Sequence, residues 1–62
     1  MVAVAERYLT VEEVAELLHV DPHSVRRWLR AGTLRGVALG GRTGWRIPEE
    51  ALTAFLDERM RS

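Results

Sequence analysis

A proline at position 22 marks where one helix must have stopped and another can begin. Proline disfavours helical geometry in the residue before it, yet its own locked φ suits the first turn of a helix. Asp21, directly ahead of it, is a natural N-cap, because a short carboxylate can accept from the unpaired amides of that turn. Upstream, Thr10-Val11-Glu12-Glu13 spells a capping box, with the Thr hydroxyl set for the Glu13 amide and the Glu13 carboxylate reaching back. Leu9 is placed to staple onto Val14. Val11, Val14, Leu17 and Leu18 read as one apolar helical stripe, and Glu12, Glu13 and Glu16 take the outside. The spacing predicts a helix over about 10–18, ending near the polar His19, and a second over about 22–31, stopped at Ala31-Gly32. Only about three residues connect them, so the two helices must turn sharply against each other.

After Gly32 the apolar period shortens to two. Val37 and Leu39 alternate with Gly36 and Ala38, and Trp45 and Ile47 flank Arg46, the pattern of strands with one buried face. Between them, Gly40-Gly41-Arg42-Thr43-Gly44 reads as a hairpin loop, giving a hairpin over about 37–47. Pro48 then opens a third helix over about 48–60, with Glu49 and Glu50 in its first turn and Arg59 and Arg61 toward its carboxyl end. Ala51, Leu52, Phe55, Leu56 and Met60 form its apolar face. No repeat or linker interrupts the chain, so residues 1–62 are expected as one domain. The expected fold is mainly α with a small β-hairpin: three helices plus a two-stranded wing, a winged helix-turn-helix. A chain of this length buries only about 60 % of its unfolded surface, and it has no cysteine to staple so small a core.

Nine acids and nine arginines cancel in total but not along the chain. Arg26, Arg27, Arg30, Arg35, Arg42 and Arg46 all fall between Pro22 and Pro48, where there is no Asp or Glu. Such a block is the electrostatic footprint of a nucleic-acid contact surface; the plain alternative is a solvated polar face. The second helix separates the two. Val25, Trp28 and Leu29 share one side, while His23, Arg26, Arg27 and Arg30 centre on the other with Ser24 flanking. That division suits a helix packed on its neighbour and inserted in a major groove. Each arginine can take guanine O6 and N7 or pair with phosphate, and both roles stay open for each. In the hairpin, Arg42 at the tip beside Thr43, with Arg46 on the returning strand, can reach a phosphate or the minor groove.

Other chemistry finds little support. The three loop glycines join two strands rather than leading from strand to helix, so they are no phosphate-binding loop. Trp28 and Trp45 lie on apolar faces, which assigns them to core packing rather than base stacking. His19 and His23 are four apart but straddle the Asp21-Pro22 break, and no Cys or Glu completes a metal site. Ser24 and His23 are adjacent and do not face each other, so they make no nucleophile and base pair. No enzymatic activity, cofactor, metal or small-molecule effector is expected. No apolar run approaches the roughly 20 residues of a membrane span, and no signal peptide is visible. A cytoplasmic, nucleoid-associated protein is therefore expected, with no membrane partner.

The run Tyr8-Leu9-Thr10-Val11-Glu12-Glu13-Val14-Ala15-Glu16-Leu17-Leu18, then Ser24-Val25-Arg26-Arg27-Trp28-Leu29 and Gly32-Thr33-Leu34, resembles the excisionase-type DNA-binding domains of the MerR-like helix-turn-helix superfamily. Leu39-Gly40-Gly41-Arg42, Trp45-Arg46-Ile47-Pro48 and Leu52 through Phe55-Leu56 continue the likeness, which covers about residues 8 to 57. The resemblance implies that helix 2 reads the major groove, that the Gly40–Gly44 turn is the wing, and that Thr10 lies by a phosphate. Relatives often carry further basic residues where Thr43 and Gly44 stand here. Small members of the group include BldC-like small regulators and recombination directionality factors. The expected function is therefore sequence-specific binding of double-stranded DNA, as an excisionase-like architectural factor in DNA recombination or in transcription regulation. Self-association on repeated sites, and an integrase or RNA polymerase as partner, belong to the same expectation. The alternative is a protein-protein interaction module that docks a basic partner through its acidic helix faces.

Overall fold

The capping box forms as its residues require. In the computed structural model, which describes residues 7–41 and 44–61, the Glu13 amide donates to Thr10 Oγ1 at 3.1 Å and the Thr10 amide to Glu13 Oε1 at 2.9 Å. Helix α1 (Val11–Leu18) starts from that box. It ends at His19, which takes the left-handed conformation (φ 58°) and directs its amide back to Ala15 and Glu16. Helix α2 (Pro22–Ala31) follows at once, with the Asp21 carboxylate accepting from the Ser24 amide at 2.8 Å and Gly32 as its left-handed stop.

Strand β1 (Tyr8–Leu9) precedes α1, and β2 (Val37–Ala38) and β3 (Trp45–Pro48) follow α2. Helix α3 (Glu49–Arg61) follows β3. The sheet order is β1-β3-β2, antiparallel throughout, with Leu9 opposite Ile47 and Val37 opposite Arg46. The fold is thus mainly helical with a wing-like strand pair, a winged helix-turn-helix. Its centre takes one fully buried side chain from each part: Val14 from α1, Val25 from α2, Leu34 from the connection and Ile47 from β3. Ala51, Leu52 and Phe55 of α3 close it from the side.

Several expectations fail in detail, each for a geometric reason. Residues 8 and 9 add a third strand to the expected hairpin, held further by the Glu49 amide donating to the Arg7 carbonyl at 2.8 Å. Pro48 ends β3 instead of opening α3, a place where its missing N–H costs the sheet little. Leu17 is 61 % exposed. It lies six residues from Val11, about 120° off that residue at 100° per residue, and Ala15 takes the inward place. Val37 and Leu39 are exposed because the register sets Val37 beside Arg46, on the opposite side of β3 from buried Ile47. Met60 is 82 % exposed. Arg59, four residues after Phe55, lies over the rings instead, its guanidinium carbon 4.8 Å from the Phe55 centroid and 5.6 Å from that of Trp28. Trp28 and Trp45 are half-buried and pack against the core, Trp28 with its ring 5.0 Å from Phe55.

Candidate nucleic-acid interface

Helix α2 presents two chemically distinct sides. Val25 and Leu29 are buried, and Trp28 is half-buried against Phe55. His23, Arg27 and Arg30 are exposed, while Ser24 and Arg26 are half-buried beside them. The amino end is held by the Asp21 cap, whose hydrogen bond from the Ser24 amide is the main reason its carboxyl titrates below the usual 3.8. At the other end the Gly32 amide bonds back to Leu29, and the Thr33 and Leu34 amides both donate to Trp28 O, at 2.9 and 3.2 Å. The exposed arginines therefore project from a helix capped at both ends, on a fixed base.

Arg26 is turned toward α1. Its Nη2 lies 3.4 Å from Glu12 Oε2, and the pair spans the angle between the two helices. Nothing in the spacing announces this contact, since the residues are fourteen apart and meet only through the turn. The pair stands in a groove of about 340 Å³, lined also by Thr10, Val11, Gly44, Trp45 and Arg46. The fold thus brings together Thr10, Arg26 and Arg46, residues up to thirty-six positions apart in sequence. Arg46 donates from Nη1 to its neighbour's carbonyl, Trp45 O, at 3.0 Å.

The wing turns on glycine. Gly40, Gly41 and Gly44 have φ of 80°, 55° and 70°, a region that side chains disfavour. The Leu39 amide closes the loop on Gly44 O at 2.8 Å. Arg42 and Thr43, the expected wing-tip contacts, lie outside the described residues. Arg35, the remaining arginine of the block, lines a separate groove with Glu50 and Glu58 of α3. Among the described residues, no group of three or more His, Cys, Asp or Glu could hold a metal ion, and no helix is long and apolar enough to cross a membrane.

Two comparisons bear on this arrangement. A family model described as a helix-turn-helix domain matches residues 8–60. No curated protein matches the chain.

Proposed function

Given that the chain belongs to the helix-turn-helix domain family, the excisionase-like family of DNA-binding domains that its motifs resemble, we propose that it binds duplex DNA sequence-specifically through α2. It acts without chemistry of its own, as an architectural factor in excisive recombination or as a small transcription regulator. The observation that carries this reading is the exposed His23, Arg27 and Arg30 side of α2, backed by buried Val25 and Leu29. In this reading His23, Ser24, Arg27 and Arg30 enter the major groove, where an arginine meets guanine or phosphate. Arg42 and Thr43 approach the adjacent minor groove from the wing. Thr10, Arg26 and Arg46, gathered in one groove, contact the intervening backbone. Copies associate on repeated sites, and an integrase or RNA polymerase is the partner in the cytoplasm.

Titration of a random duplex and of a sequence selected from a random library, at several salt concentrations, tests the reading. With about four to six phosphates neutralised, log K against log salt slopes at roughly −4 to −5. The selected sequence binds tighter than the random one at every salt concentration. No binding at low salt, or a flat dependence, rejects the proposal. A second reading, an interaction module for a basic partner, draws on exposed Leu17 beside Glu13 and Glu16 of α1. It predicts that flat result.

A further inference from the structure

In the duplex-DNA reading, the Glu12–Arg26 pair occupies a place along the path of the duplex. A helix in the major groove and a wing at the next minor groove straddle one sugar-phosphate strand, because the strands are what separate the grooves. In that reading the strand lies along the groove between Arg26 of α2, the start of α1 and Gly44 at the base of the wing, whose lining the structure gives. Glu12 is the one acid lining it among the described residues. We propose that the Glu12 carboxylate is an internal stand-in for a DNA phosphate on Arg26, and that a backbone phosphate displaces it on binding. The inference rests on the duplex-DNA reading.

Carboxylate and phosphodiester offer the same anionic oxygens to a guanidinium, so they compete for one fork. The pair is loose enough to exchange. Its 3.4 Å separation is long for a charge-assisted bond, and the side chains are 42 % and 68 % exposed. Thr10 Oγ1 accepts from the Glu13 amide, which leaves its hydroxyl proton for an incoming phosphate oxygen, and Arg46 adds a cation on the wing side. Glu12 has its own reason to be there, since a carboxylate in the first turn of α1 complements the helix dipole. The same charge that favours the free helix therefore opposes the bound phosphate. Because phosphate contacts carry no sequence information, the opposition falls on all duplexes alike.

The test is the affinity of Glu12→Gln for random and selected duplex at fixed salt, with melting curves to show that each variant is folded. The expected result is tighter binding by roughly two- to fivefold on both duplexes, the size of one exposed charge interaction. In an Arg26→Ala background the same substitution should gain less than half as much on a logarithmic scale. Glu16→Gln, on α1 but away from this groove, should change affinity by less than twofold. Weaker or unchanged binding by Glu12→Gln overturns the proposal, the weaker case making Glu12 a positioning residue for Arg26. An undiminished gain in the Arg26→Ala background, or an equal gain from Glu16→Gln, overturns it too, since general repulsion then accounts for the effect. If the parent protein binds no duplex at low salt, the DNA reading falls and this falls with it. If the parent binds and only these variants disagree, the DNA reading stands.

Discussion

Gly36 sits where the chain leaves α2 for the wing, and it has no room for a side chain. A Cβ there would lie 2.7 Å from Leu29 Cδ2 and 3.3 Å from the Arg46 carbonyl. Leu29 is buried in the core and has little freedom to yield. Gly36→Ala should therefore destabilise by about 1–3 kcal/mol through overpacking, read from chemical denaturation; an unchanged midpoint would show that Leu29 can move. At Asp21 the relevant quantity is protonation. The Ser24 amide holds its carboxyl below the ordinary 3.8, so the unfolded chain takes up the proton first. The cap's contribution is then fully present above the usual carboxylate range and is lost as pH falls through the lowered folded-state value. The parent should melt above Asp21→Ala near neutral pH, and the gap should narrow in acid. A gap independent of pH would mean that the charge of Asp21 plays no part. Both caps were legible in the sequence because a cap is a contact over three residues, whereas the conflict at Gly36 involves Leu29 and Arg46 brought from two other elements.

At the scale of elements, the proposed reading assigns binding and stability to opposite sides of α2. Arg27→Ala and Arg30→Ala remove exposed side chains and should leave the melting curve near the parent's. A base-reading arginine costs about 1–3 kcal/mol and relaxes preference at one position, while a phosphate-binding one weakens all sequences alike. Parental affinity in both variants would remove α2 as the recognition element. Trp28→Ala should do the reverse and cost about 3 kcal/mol of stability, because the ring packs on Phe55 and carries Arg59 on its face. A melting curve like the parent's would deny it that role. Helices α1 and α2 could be read along the chain because their caps and apolar spacing agree. Strand β1 could not, since two residues carry no period; only its pairing with β3 makes Tyr8–Leu9 a strand. The register of β2 against β3 likewise sets Val37 beside Arg46, away from Ile47, and leaves both residues of β2 exposed, where alternation alone placed Val37 inward.

For the whole molecule the question is how one copy meets the next. Met60 and Leu17 are exposed, and near the carboxyl end of α3 Arg61 pairs with Asp57 at 3.5 Å. Exposed ion pairs of about 0–1 kcal/mol each cannot hold a dimer in solution, but on adjacent sites the effective concentration is high enough for weak contacts to give cooperativity. The free protein should sediment as a monomer, and a two-site duplex should fill cooperatively where a one-site duplex does not. A stable micromolar dimer, or independent filling, would contradict this. The sequence by itself determined α1 and α2, their N-caps, the tight turn between them and the side of α2 that carries arginine, because all of these rest on contacts within a few residues. It also segregated the charge, with six arginines in a stretch free of acid. Only the tertiary structure decided what that segregation means in space. Packing α1 across α2 sets Glu12 on Arg26, and folding α3 back sets Glu50 and Glu58 in one groove with Arg35. His23, Arg27 and Arg30 are left as the exposed basic side of α2. The physical reason is that charges act through distance, and distance between remote residues is settled by how the elements pack.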